Sequence, residues 1–129
     1  MPRGVATAEA LAVLLTPGGP LDLQVLITFD VQAPDDVEVQ LTAEVAFASG
    51  VIITDRQTWT LPLRLMQTAM EVADEEVGVG VRFTFESRYN ILVLTLFDGD
   101  GKGYDVRIGG RPIPKFLDDV AAAKRCLPD

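Results

Sequence analysis

The sequence of 129 residues contains no histidine. Histidine is the commonest general base and a frequent metal ligand, because its side chain titrates near neutral pH. Without it, neither the usual serine–histidine–acid triad nor a cysteine–histidine pair is available. Paired carboxylates remain possible, but nearly all of the acidic residues lie in predicted loops or on the polar side of alternating segments. We therefore predict a protein that is not an enzyme and has no catalytic residues, metal or cofactor.

Cysteine and long apolar runs are also scarce. Cys126 is the single cysteine, which excludes an intramolecular disulfide and fits a reducing compartment. The apolar run at 8–15 is far shorter than the roughly 20 residues of a membrane-spanning helix, and no convincing signal-peptide cleavage site follows it. We expect a soluble, cytoplasmic protein with one domain covering residues 1–129.

Basic residues are also few compared with acidic ones. The chain has 11 basic and 19 acidic residues, which give a formal net charge of −8, and aromatic residues make up 7%. Such a field repels phosphate backbones and favours basic or neutral partners. The composition therefore disfavours generic nucleic-acid binding.

Alternation of apolar and polar residues dominates the rest of the sequence. A period of two is typical of a strand with one buried face. Seven strands are predicted, at 6–15, 21–30, 37–47, 51–58, 77–86, 91–97 and 104–108. The segment 91–97 is apolar at nearly every position, which predicts cover on both faces, with a helix on one and another layer or subunit on the other.

Helical spacing follows each group of strands. After Trp59 the period changes, with Thr60 as a possible cap and a row of apolar residues on one side. The final segment repeats apolar residues at i, i+3, i+4 and i+7. The two rows are Leu65, Met66, Ala69, Met70 and Ala73, then Ile113, Phe116, Leu117 and Val120. Short turns between neighbouring strands favour antiparallel pairing, so the predicted class is α+β, in the order β4-α-β3-α.

Two loops have features of binding sites. The loop from Asp98 to Gly103 resembles a calcium loop, but its fifth position is Lys102 and its twelfth is Gly109, so we predict a hairpin turn. The second loop, Asp74-Glu75-Glu76, follows the first helix, where acidic residues oppose the helix dipole. It is either a solvated loop or an acidic contact surface. In the second case, we expect protein contacts at Asp74, Glu75, Glu76 and Arg64.

Several short motifs occur in a fixed order along the chain. They are Phe29-Asp30 at the end of a hairpin, the loop at 33–37, Trp59 followed by Leu65-Met66, the strand segment 78–82, Phe116-Leu117 and Leu127-Pro128. In this order they resemble the SsgA-like (SsgA/SsgB) family of actinobacterial sporulation and cell-division proteins. The chain departs from the family at Leu63, where the family has arginine, and at Gly80, where it has aspartate before Val81.

The resemblance implies a fold and a role. The fold is a bent antiparallel sheet of about seven strands with two helices, similar to the whirly fold, with core landmarks at Trp59, Leu65, Met66, Phe116 and Leu117. The role is that of a non-enzymatic homo-oligomer, a trimer, that recruits or positions FtsZ or another division protein at septa. The whirly likeness leaves an alternative open, a module that binds single-stranded nucleic acid.

Overall fold

A computed structural model of the chain describes residues 4–16, 19–46, 52–97 and 103–125, and these form eight strands and two helices. In chain order the elements are β1 (Val5–Thr16), β2 (Gly19–Asp30), β3 (Asp36–Ala46), β4 (Ile52–Pro62), α1 (Leu63–Glu71), β5 (Glu76–Val77), β6 (Arg82–Glu86), β7 (Ile91–Phe97), β8 (Gly103–Gly109) and α2 (Ile113–Arg125). Of the predicted features, residues 98–102 of the loop from Asp98 to Gly103, Cys126 and Leu127-Pro128 lie outside the described residues.

The strands form one antiparallel sheet in the order β4-β3-β2-β1-β8-β7-β6-β5. The sheet is two meanders, β1–β4 and β5–β8, joined where their first and last strands pair. β1 pairs with β2 along its full length, from Val5↔Asp30 to Thr16↔Gly19. With β8 it pairs at three positions, from Ala12↔Ile108 to Leu14↔Val106. This short ladder is the seam between the two meanders.

Each helix packs on strands of the other meander. α2, which follows β8, lies against β1, and α1, which follows β4, contacts β5 and β6 as well as β3 and β4. The sheet is therefore curled, with α1 bridging its two ends. Both helices bury apolar side chains against the inner face of the sheet, among them Met66 and Phe116.

The predicted fold class is confirmed, but one predicted strand is wrong. The segment 77–86 is divided between β5 and β6, which pair as a hairpin at Val77↔Phe83 and Glu76↔Thr84. Gly78 and Gly80 between them have positive φ angles of 107° and 82°. Strand alternation alone did not distinguish this break, because glycine fits a strand pattern and also supplies the backbone angles of a tight turn.

The predicted start of the first helix is also wrong. β4 does not end at Trp59 but continues through Pro62, which pairs with Asp36 at the end of the β3–β4 ladder. The helix then begins at Leu63, whose N–H donates to the Asp35 carbonyl at 2.9 Å. Thr60 is therefore a strand residue and not a helix cap.

The second face of β7 is half-buried beneath charged side chains of the neighbouring strands. Leu92, Leu94 and Leu96 point into the core, as predicted. On the opposite face, Arg107 from β8 reaches Glu86 from β6 at 2.6 Å.

This ion pair crosses β7, because Glu86 lies opposite Ile91 and Arg107 lies opposite Val93. The Arg82 guanidinium lies 5.5 Å from the centre of the Phe97 ring. Long charged side chains can cover apolar surface with their aliphatic stems. The charged side chains of β6 and β8 thus cover part of this face, and its cover by another layer or subunit stays a prediction.

The break at Gly78 gives a stability test. A Cβ at Gly78 would lie 2.5 Å from the Val81 carbonyl oxygen, whereas at Gly80 it would meet no atom within 4 Å. We expect Gly80→Ala to cost about 1 kcal/mol of unfolding free energy from backbone strain, and Gly78→Ala to cost about 3 kcal/mol because it adds the collision. Urea unfolding of both variants measures the difference. Equal, small losses of unfolding free energy in the two variants would indicate that the segment is one continuous strand, as the sequence pattern predicted.

Candidate protein-interaction surfaces

The structure offers surfaces rather than a reaction centre. In the described residues, no three cysteine, histidine, aspartate or glutamate side chains lie together in a way that would hold a metal ion. The buried side chains of this part of the chain are all apolar. None of its helices has the length and apolar content needed to cross a membrane. Surface side chains are therefore the groups to consider.

Asp74 ties the link after α1 to the turn between β6 and β7. Its backbone is in the left-handed region, with φ of 71°. Its N–H donates to the Phe85 carbonyl at 2.8 Å. Its carboxylate accepts from the Ser87 hydroxyl at 2.6 Å and from the Ser87 N–H at 3.0 Å. The residue thus has a structural role, which the sequence pattern did not reveal.

The hydrogen bonds from Ser87 also favour the charged form of the Asp74 carboxyl group. The bond from the Ser87 hydroxyl, followed by that from the Ser87 N–H, lowers the pKa of Asp74 below its ordinary value of 3.8. Both bonds favour the charged form, because a carboxylate accepts them and a protonated oxygen does so less well. The link is therefore formed fully at neutral pH.

The other predicted contact residues lie around this link. Glu76 in β5 accepts a hydrogen bond from Arg82 at 2.9 Å. Glu75 and Arg64 are exposed, and no hydrogen bond or ion pair joins either of them to the described part of the chain. Of the four predicted residues, Glu75 and Arg64 are thus the ones whose charges are available to a partner. Their use as contacts stays a prediction.

Val79 adds an apolar group beside the acidic loop. It lies between the two positive-φ glycines and is completely exposed. The sequence pattern placed it on the apolar side of a strand, so the alternation gave no signal of this exposure. The Gly-Val-Gly spacing was the available clue, since glycine supplies positive φ.

Trp59 lies beside a groove that is lined by residues of both meanders. It pairs with Val39 in the β3–β4 ladder and is half-buried against the core. With Gln57, Leu96 and Phe97 it lines an apolar groove of about 400 Å³. Of the other landmarks, Met66 and Phe116 are buried, and Leu65 and Leu117 pack against the core from its margin.

The first meander has a second exposed surface, on the sheet face opposite the helices. We call this the outer face of β1–β4. Its exposed or half-buried side chains are Val5, Thr7, Glu9, Leu11 and Val13 from β1, Asp22, Gln24, Leu26, Thr28 and Asp30 from β2, Glu38, Gln40 and Thr42 from β3, and Arg56, Thr58 and Thr60 from β4. A hollow of about 680 Å³ lies in its centre.

The Asp74 link predicts a pH-dependent contribution to stability. We expect Asp74→Asn, which tolerates the same backbone angle, to lower the melting temperature by a few degrees at pH 7, because the charged acceptor is lost. A carboxyl group whose pKa is lower in the folded than in the unfolded protein stabilises the fold at pH values above the unfolded-state pKa. This stabilisation disappears as the pH falls through the folded-state pKa. The difference between variant and wild type should therefore shrink below about pH 4.

Thermal melts from pH 2 to pH 7 measure this difference, with Glu75→Gln as the matched control. Glu75 forms no such link, so the control should follow the wild type at every pH. An Asp74→Asn loss that is independent of pH would contradict the role assigned to the carboxylate.

Comparison with known proteins locates the fold. No protein-family model matches the chain, and no curated protein does so either. A structure of SsgB, whose mutations correlate with longitudinal cell division during sporulation of Streptomyces coelicolor, matches with a TM-score of 0.70 at 17% identity, over 92% of this chain and 87% of that one.

A second solved structure gives the same result. It is the SsgA-like sporulation-specific cell division protein from Thermobifida fusca, with a TM-score of 0.66 at 17% identity, over 93% of this chain and 82% of that one. Both matches run through the two meanders and not through a fragment. The chain therefore has the fold of the SsgA-like sporulation and cell-division proteins, which supports the resemblance seen in the sequence.

Proposed function

We propose that the protein is a member of the SsgA-like family that acts in cell division during sporulation. The observation that supports this most strongly is the fold match to SsgB over 92% of this chain and 87% of that one. The order of the sequence landmarks also supports it, because that order resembles the order of motifs in the family. Fold alone does not fix function, so the proposal rests on both.

The mode of action that we propose is protein contact rather than catalysis. The sequence has no histidine. The described residues hold no buried polar side chain that a reaction centre would use. Active sites usually contain such groups with strongly shifted pKa values. Exposed charges and apolar groups, by contrast, are what a binding surface requires.

The partners follow from the family resemblance. We propose that the protein forms a homo-oligomer of three chains in the cytoplasm and contacts FtsZ or another division protein at septa. The acidic loop with Glu75, together with Arg64, is one candidate contact. The family has arginine at the position of Leu63. In this chain Leu63 is buried at the start of α1 and Arg64 is exposed, so Arg64 is the arginine that a partner can reach.

Single-stranded nucleic acid is a weaker alternative. Such binding uses a positively charged groove with aromatic stacking platforms. Arg107 and Arg82 on the outer side of the sheet are paired with Glu86 and Glu76. The charges of these arginines are therefore largely compensated, and the net charge of −8 opposes a phosphate backbone.

Co-sedimentation with FtsZ polymers tests the partner. We expect the purified protein to pellet with FtsZ assembled in GTP and to stay in the supernatant without it. In the host, deletion of the gene should displace or reduce sporulation septa, scored by microscopy of membrane and DNA stains. Normal septation in the deletion strain would refute the division role, and absence of co-pelleting alone would refute FtsZ as the direct partner.

A further inference from the structure

The outer sides of the two meanders differ in whether their charged side chains form ion pairs and hydrogen bonds within the chain. On the β6–β8 side, Arg107 pairs with Glu86, and Asp105 accepts a hydrogen bond from Thr95 at 2.7 Å. These contacts cover part of the apolar surface of β7. On the outer face of β1–β4, Glu9 and Glu38 are exposed and form no ion pair or hydrogen bond with the described residues. Charged residues on the first side thus pair with one another and partly cover β7, whereas Glu9 and Glu38 on the second side do not pair.

Leu11 is the apolar centre of the uncovered side. It is 76% exposed, the largest exposure of any described leucine, and it faces away from the core. It lies opposite Gln24, and Glu9 of the same strand lies opposite Leu26. Leu11 and Leu26 are thus diagonal neighbours across two strands, close enough for their side chains to form one apolar patch.

The hollow in this face has a regular construction. Gln24 lies opposite Thr42, and Thr42 lies opposite Arg56, so one row runs from Leu11 on β1 to the edge strand β4. Gln40 stands opposite Leu26 in the next row. Glutamine side chains both donate and accept hydrogen bonds, as a peptide backbone does. The hollow therefore offers apolar contact and amide groups together.

The side chains around this hollow carry an excess of negative charge. Among the described side chains of the face, the exposed carboxylates are Glu9, Asp22, Asp30 and Glu38, and the one guanidinium is Arg56. Asp30 accepts a hydrogen bond from the Gln32 N–H, so it is partly satisfied within the chain. The remaining negative charge repels phosphate and anionic lipid, and attracts lysine and arginine.

We infer that the outer face of β1–β4 docks an extended segment of a partner protein that carries basic residues and places an apolar side chain on Leu11. The glutamines of the hollow bind the backbone of the segment, and Glu9 and Glu38 hold its cations. The inference rests on the proposed function in one respect, that the protein acts through protein contacts. It differs in naming this face rather than the acidic loop after α1.

A short fluorescein-labelled peptide of alternating lysine and leucine is the probe, and fluorescence anisotropy is the measurement. We expect Glu9→Gln with Glu38→Gln to weaken binding about fivefold, because two exposed charge contacts are lost. Leu11→Ser should weaken it by a similar factor, about fivefold, through loss of apolar contact. Because Leu11 is exposed, the variant should fold, which a thermal melt checks. A glutamate–leucine peptide should not bind.

A second double variant, Glu71→Gln with Asp118→Asn, changes the net charge by the same amount away from this face, at exposed helix residues that form no ion pair with the described residues. It should bind the probe like the wild type. NMR amide shifts induced by the peptide should concentrate in β1–β3. Equal weakening by both double variants, shifts centred on the loop after α1, or no binding by the wild type would each overturn the inference.

The host experiment separates this inference from the proposed function. Normal septation in the deletion strain would refute the division role even if the peptide maps to this face. Defective septation together with wild-type septation in a strain carrying Glu9→Gln, Glu38→Gln and Leu11→Ser would keep the division role and overturn the docking face. The inference expects defective septation in both strains.

Discussion

The rest of the structure depends on the short seam between β1 and β8. Three residue pairs there join two four-stranded meanders into one sheet. α2, which follows β8, packs on β1, the first strand of the other meander. α1 bridges back in the same way to β5 and β6. The seam thus sets the curl of the sheet, and the two helices close the core on its inner side.

The curl leaves two outer surfaces of unequal character. Around β7, an ion pair between Arg107 and Glu86 crosses the strand and covers part of its apolar surface. Among the described residues of the first meander, Glu9 and Glu38 form no such pair and lie on the same face as the exposed Leu11. Exposed apolar groups surrounded by charge are common features of protein-binding surfaces. The sequence has no histidine and the described residues have no buried polar side chain, so these outer surfaces are the features on which the proposed role depends.

Local pattern predicted most of the fold. The strands follow from a period of two, and a one-residue slip would reverse every face, so their alternation is a strong constraint. The pattern did not predict the start of the first helix, because two spacings meet there without a gap. Trp59 and Leu61 keep the two-residue spacing of β4, and Leu63 and Met66 then begin the helical spacing of α1. The Asp74 link was missed because its partner, Ser87, is brought near only by the β5–β6 hairpin. The unequal outer faces also depend on long-range register, which no single segment contains.

The central claim is that one seam makes the two meanders a single cooperative sheet. Native-state hydrogen exchange, resolved by residue, tests it most directly. Amides of β1 and β8 at the seam, between 12 and 14 and between 106 and 108, should exchange only by global unfolding, at the same free energy as the most protected amides of β2 and β7. Earlier exchange at the seam, with β1–β4 and β5–β8 opening at two separate free energies, would contradict the account.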